Sequence, residues 1–514
     1  MQGRNPPGRF ARPAVLSDPA DHGQGGIPPR LGQQAGVPEE RRFVWQVQRP
    51  ARDTVHLLVL IRTAGAWPRC KRGHAHRLIP HAMPMLRFSN QPHVASYYAA
   101  TANDTTRHPA LEETVNVDVC VIGAGLTGIS TALNLAERGH SVAVLEASKV
   151  GWAASGRNGG QLIGGFACDI DTFAKYLPAD DVKRVWDMGI ETLDIVKERV
   201  AKHQIDCDLT IGYLTAANKP RDTDALQKWR DEAQRRFGYD RFSYVDADGV
   251  SNYVQSERYL GGLFDADSGH LHPLNYTLGL ARAAREAGVR IFEDSCVTAL
   301  REENGRHVAQ TARGEVRSRF IVLACNTYLG KLAPEVASKI MPVGTYVIAT
   351  EPLDPDRAEA LMPAKAAVCD SRFVLDYFRP APDNRLLWGG KVSYSTFAPR
   401  NLGEAMRRDM LKTFPQLDDV KIDYAWGGFV DITMNRAPHF GRLSPTVYFA
   451  QGFSGHGVNT TGLAGKLIAE AIDGQASRFD LFGKIRHRDF PGGATLRTPA
   501  LVLAMAWYRM KDLL

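Results

Sequence analysis

The sequence has no CxxC pair, no long apolar run and no cluster of residues in metal-ligand spacing. Its seven cysteines (Cys70, Cys120, Cys168, Cys207, Cys296, Cys325 and Cys369) are scattered. An odd, unclustered set argues against a disulfide frame or a zinc site and points to reduced thiols in a cytoplasmic protein. The longest apolar runs, 56–61 and 499–507, fall short of the ~18–20 residues that span a bilayer, so no transmembrane segment is expected. His270 and His272 in "DSGHLHP" are two residues apart without an accompanying Cys, Asp or Glu pattern, and no metal is expected there.

Basic charge is also scarce once located. The net charge is +7, but residues 1–84 hold thirteen Lys and Arg against five Asp and Glu. That leaves the other 430 residues near −1, so a nucleic-acid partner for the whole chain has no support. Stretches such as "GRNPPGRFARPAVL" are rich in Pro, Gly and Arg, lack sustained periodicity and read as a disordered basic extension. The protein proper is expected to start at Met83 or Met85.

The sequence changes character at Val115. "VNVDVCVIGAGLTGISTALNLAERGHSVAVLEAS" reads as a buried strand, a tight turn, a helix and a second strand. Gly123, Gly125 and Gly128 sit as a dinucleotide fingerprint requires: the first permits the turn, the second admits a pyrophosphate, and the third lets helix and strand pack. Ala124, Leu126 and Thr127 complete the loop and the helix N-terminus, whose unsatisfied N–H groups suit phosphate. Glu146, with Ala147 after it, ends the second strand eighteen residues beyond Gly128, placed to accept from ribose hydroxyls.

A second glycine-rich polar loop, "GWAASGRNGGQ", follows at once, with Ser155, Gly156, Arg157, Asn158, Gly160 and Gln161. A nicotinamide domain would begin its next βα unit there. A loop of donors suits a longer ligand with a pyrophosphate and an isoalloxazine, and points to FAD. A third glycine-rich stretch, "QGFSGHGVNTTGLAGKL" at 451–467, leads into a helix expected from about Thr460, with Leu463, Leu467, Ile468 and Ala471 on one apolar face.

On these motifs the chain resembles the D-amino-acid-oxidase/glycine-oxidase/sarcosine-oxidase superfamily of flavoproteins. "ASGRNGGQ", "DSGHLHP", "LDYFRP", "QGFSGHG" and the tail "FPGGATLRTPALVLAMAWYRMKDLL" look most like its γ-glutamylputrescine-oxidising branch. The resemblance runs from Ser96 to Leu514. It implies an α/β fold, with a discontinuous Rossmann-like FAD-binding domain and a substrate domain built on a mixed β-sheet. The expected FAD-binding parts are 115–205, 257–343 and 426–480. The substrate parts are 206–256 and 344–425, and 481–514 is a tail ending in a helix.

The resemblance also assigns roles. Val297 meets the adenine through its backbone and Ala324 lies near the pyrophosphate. Gly428 lies on the segment leading back to the flavin. Gly452, Phe453, Ser454, Gly455, His456 and Gly457 bring N–H groups and a helix end to the flavin ring, stabilising its reduced anion. Tyr377, Arg379 and His456 contact substrate, with Arg379 placed to clamp a remote carboxylate.

Two departures carry information. Sarcosine-type oxidases follow the GFSGHG loop with Phe-Lys, whose ammonium holds an α-carboxylate; here Val458 and Asn459 stand there. Relatives that bind FAD covalently use a cysteine just before the threonine matching Thr433, and "WGGFVDITMN" has none, so FAD is expected to be non-covalent.

The resulting expectation is oxidative deamination of the primary amine of γ-glutamylputrescine, with dioxygen reoxidising the flavin to give hydrogen peroxide. The alternatives are an oxidase or dehydrogenase of another secondary, N-methylated or γ-glutamylated amine, or a flavin-bearing subunit of a heteromeric complex. The oligomeric state is left open.

Overall fold

The structure is a computed structural model that describes residues 89–372, 374–393 and 401–491. The basic segment 1–84, the expected start at Met83 or Met85, and the tail helix around 499–510 lie outside the described residues.

Along the chain, β1 (Thr114–Ile122) runs into the first glycine loop and the helix Leu126–Ala136, and β2 (Val142–Leu145) returns parallel to β1. The short β3 (Gln161–Leu162), the helix Ala179–Lys202 and β4 (Thr210–Ala216) follow. Next come the helix Pro220–Phe237, β5 (Phe242–Val245) and β6 (Gly262–His270). The helix Pro273–Glu286 leads to β7 (Arg290–Phe292), β8 (Ala299–Glu303), β9 (Arg306–Gln310) and β10 (Glu315–Leu323). Then come β11 (Met341–Thr350), β12 (Ala367–Asp370), β13 (Tyr377–Pro380) and β14 (Leu386–Ser393). The helix Leu402–Met410 precedes β15 (Ile422–Ile432), and the hairpin of β16 (His439–Ser444) and β17 (Val447–Gln451) opens into the helix Gly457–Ile472.

The strands form two sheets. The first runs β16-β17-β10-β1-β2-β7, with β9 on β10 and β8 on β9. From β17 to β7 its pairings are all parallel. Val119–Ile122 and all of β2 are buried without alternation, as expected of parallel strands covered on both faces. The second sheet, β15-β11-β14-β13-β12-β4-β6-β3 with β5 on β6, is antiparallel except where β12 meets β4. Helices on one face of the first sheet bury Leu133, Val196, Leu280 and Leu467 together in its main core.

Three expectations need correction. The helix expected from about Thr460 begins at Gly457, because tertiary packing overrides the poor helix propensity of glycine. It is buried on most sides rather than on one face: a Cβ on Gly465 would stand 2.6 Å from the Thr131 amide nitrogen, so the helix packs nearly backbone to backbone on Leu126–Ala136. The strand pairings also cross the sequence-based bounds. Both β6 and most of β15 fall within the expected FAD-binding parts, yet they pair in the second sheet. β15 runs through the Gly427–Gly428 pair, and a Cβ on Gly427 would lie 2.7 Å from the Tyr346 ring of β11.

Candidate functional site

The first loop is built from glycine for steric reasons. Gly123 has φ +106° and its absent Cβ would meet the Ala324 carbonyl oxygen at 2.6 Å. Gly125 caps the following helix without a side chain, and Ser155 Oγ accepts the Leu126 N–H at 2.9 Å. The helix end, with its exposed N–H groups and positive dipole, opens into a cavity lined by Gly123, Gly125, Leu126 and Thr127.

Glu146 borders the same cavity. Its carboxylate accepts the N–H groups of Ala124 (2.8 Å) and Ser148 (2.9 Å), tying the end of β2 to the turn. Burial pushes its pKa up to about 6 against the pull of those donors. Ala147, Ser155, Asn158, Val297 and Ala324 continue the wall.

At the far end the wall is made by Phe429, Val430 and Asp431 of β15 and by Phe453, Gly455, Gly457 and Val458. A second helix N-terminus, that of Gly457–Ile472, therefore faces the cavity. Asn326 Oδ1 and Thr327 Oγ1 are buried in this wall without a hydrogen-bond partner. A cleft with two helix N-termini, a glycine cradle, an acid at a strand end and unpaired acceptors fits a long dinucleotide such as FAD.

Several expected cofactor residues support the wall without lining it. Ala124 spends its N–H on Glu146, and Gly128 packs beneath the turn. Gly156 packs on the Gly151 carbonyl. Arg157 lies over the Trp152 ring at 4.2 Å and donates from Nε to the Trp152 carbonyl at 2.6 Å, while its Nη2 is buried without a partner. Its Cβ and Cδ press on Gly428. The Asn158 side chain accepts the Gly160 N–H at 2.8 Å, and Gln161 bonds Val368 and Tyr213 of the second sheet. Gly452 gives its N–H to Asp431, and Ser454 (φ +52°) accepts from the Thr433 amide.

The three residues expected to meet substrate do not line this cavity. His456 is buried at the N-cap of Gly457–Ile472, where burial and the charge of Arg436 push its pKa down to about 4. Tyr377 lies with its ring against Gly389 and Gly159. Arg379 is 1% exposed, and its guanidinium donates to the carbonyls of Gly159 (3.0 Å) and Pro380 (3.3 Å) and to Tyr98 Oη (3.2 Å). Buried and spent on these three acceptors, the guanidinium acts as a strut under the 158–161 loop rather than as an open clamp.

His270 donates from Nε2 to the Lys365 carbonyl at 2.9 Å. His272 Nδ1 accepts the Asn275 N–H at 3.1 Å and caps the helix Pro273–Glu286. Among the described residues no group of three or more His, Cys, Asp or Glu is arranged to hold a metal, and no helix is long and apolar enough to cross a membrane.

Asn459, which the resemblance sets against the lysine of sarcosine-type oxidases, points to the Ile163 carbonyl (2.8 Å) and Thr192 Oγ1 (2.5 Å) and does not line the cavity. Sequence reasoning missed Asp431, Asn326, Trp152 and Tyr328 as wall residues. The one available signal was an acid inside the otherwise apolar run "GGFVDIT".

Residues 118–471 match the DAO family model, described as FAD dependent oxidoreductase. Gamma-glutamylputrescine oxidoreductase of Escherichia coli (strain K12) is 44% identical over 421 residues, covering 82% of this chain and 98% of that protein. A probable oxidoreductase, OrdL, of Haemophilus influenzae is 44% identical over 432 residues, covering 83% and 99%. Among solved structures, glycine oxidase from Bacillus cereus ATCC 14579 superposes with a TM-score of 0.60 at 23% identity, over 72% of this chain and 99% of that one.

Proposed function

Because this chain belongs to the DAO family of FAD-dependent oxidoreductases, which act here on amines, we propose that its substrate is γ-glutamylputrescine. The products are γ-glutamyl-γ-aminobutyraldehyde, ammonia and, with dioxygen as acceptor, hydrogen peroxide. FAD supplies the two-electron acceptor for the hydride on the carbon that bears the amine. Water then hydrolyses the imine and releases ammonia. The enzyme binds FAD non-covalently and works in the cytoplasm.

The observation that carries this reading is the identity of the wall at the second helix end. Gly455, Gly457, Val458 and Thr461 at this helix end carry no cation, the one cation in the cavity's lining among the described residues being Lys331, and Asn459 is turned to Ile163 and Thr192. A small amino acid would need a positive partner for its α-carboxylate there. A primary amine at the end of an alkyl chain needs none. The near full-length similarity to a γ-glutamylputrescine oxidoreductase supports the same choice.

The residues of this chain position rather than react. Arg379 holds the Gly159 carbonyl and so the polar loop, Glu146 fixes the turn at Ala124, and Trp152 and Phe453 exclude water from the wall. The test is product analysis in air with γ-glutamylputrescine, putrescine and sarcosine offered separately. Equal yields of aldehyde, ammonia and peroxide from γ-glutamylputrescine alone support the proposal. Turnover of sarcosine in preference to it overturns the substrate, and aldehyde without peroxide overturns the acceptor.

A further inference from the structure

Asp431 stands where the two sheets meet. It is the penultimate residue of β15 and only 2% exposed. Its carboxylate accepts the N–H groups of Gly452 and Phe453, the latter at 3.3 Å, and a hydrogen bond from the Asn326 side chain. Its backbone carbonyl accepts the Ser454 N–H at 3.0 Å. None of these partners belongs to the second sheet, in which β15 pairs: the 452–454 loop follows β17 and Asn326 follows β10, both of the first sheet. All three segments wall the same cavity.

The backbone around this carboxylate is forced. Gly452 has φ +77°, Ser454 +52°, Gly455 +104° and Asn326 +51°. At Ser454 the left-handed conformation is disfavoured by about 1 kcal/mol or more, so something must hold it, whereas the asparagine at 326 tolerates it. Asp431 is the group the loop closes upon. Two successive loop amides thus point back at a carboxylate and not into the cavity. Among the described residues no Lys or Arg lies within 4.0 Å of Asp431, so its charge is met by amide dipoles alone.

We propose that Asp431 is a positioning residue for the cofactor: it seats the second glycine loop against the cavity and, as a carboxylate in that wall, sets the electron affinity of the bound FAD. A buried negative charge opposes the arrival of electrons nearby, and the low dielectric of the wall strengthens the effect. Asparagine in its place removes the charge: its Oδ1 can stand where one carboxylate oxygen accepts both loop amides, but its NH2 then meets the Asn326 donor with no acceptor between them. The inference rests on FAD occupying the cavity and is independent of which amine is oxidised.

The experiment compares the holoenzyme with Asp431→Asn, Asp431→Glu and Asn326→Ala, measuring FAD affinity and the midpoint potential of the bound flavin. Asp431→Asn raises the potential and weakens FAD about tenfold. Asp431→Glu weakens FAD but keeps the potential near that of the parent, since the charge remains. At alkaline pH, where the carboxylate stays ionised, Asn326→Ala lowers the potential, since the charge loses a donor that partly offsets it. Asn326→Ala carries the test if Asp431→Asn retains no FAD. A potential unchanged in both Asp431→Asn and Asn326→Ala, or displaced the same way in both, overturns the proposal. A parent protein that takes up no FAD overturns the cofactor assignment itself.

Discussion

A Cβ placed on Gly128 would stand 1.8 Å from the carbonyl oxygen of Gly123, with Val121 Cγ1 at 3.2 Å on its other side. The first turn of the helix therefore rests directly on the loop that precedes it, and no larger residue fits without moving that loop. The phosphate cradle and the packing of helix on strand are one constraint.

Gly128→Ala is expected to yield protein without FAD, destabilised by roughly 1–3 kcal/mol through overpacking against backbone. Flavin content after purification and urea unfolding check the two effects separately. Normal flavin content would show that the loop yields where the structure says it cannot.

Arg379→Lys keeps the charge but loses the fork that reaches Gly159 and Tyr98 together. Unpaired acceptors around a buried ammonium cost about 2–4 kcal/mol, and the 158–161 loop loosens with them. Thermal unfolding of the apoprotein and FAD retention should both fall. An unaltered melting point contradicts the strut role.

His272 gives a pH dependence of definite sign. Burial and the nearby Arg379 charge push its pKa down to about 3 from the unfolded value of 6.5, and a protonated Nδ1 could no longer accept from Asn275. The unfolded chain thus binds the proton first. The contribution is fully present above pH 6.5 and is lost as the pH falls toward 3, amounting to on the order of 5 kcal/mol. His272→Asn retains a capping acceptor without the titration. Its urea midpoint should fall less than that of the parent between neutral and mildly acidic pH.

Non-covalent FAD predicts that acid precipitation leaves all flavin absorbance in the supernatant. Colour in the pellet would place a covalent bond on a residue other than the missing cysteine of "WGGFVDITMN".

The parts of this protein legible in its sequence are those with local causes. The strand, turn, helix and acid from Val115 to Glu146 are fixed by spacing within about thirty residues, and the α/β class follows from them. The parts that were not legible depend on distant partners. Asp431 is defined by Asn326, Gly452 and Phe453, and Arg379 by Tyr98 and Gly159, all remote in sequence. An arginine in "LDYFRP" gives no sign of whether its fork faces a ligand or a carbonyl. The passage of β15 through two glycines has the same origin: Tyr346 of another strand needs the space.

The most direct measurement is anaerobic mixing of the purified protein with γ-glutamylputrescine while the visible flavin band is followed. The fold, the cavity and the neutral wall at Val458 predict a yellow protein that this amine bleaches rapidly, and that air restores with one peroxide per flavin. A yellow protein bleached by sarcosine and not by γ-glutamylputrescine, or one that never binds flavin, would contradict it.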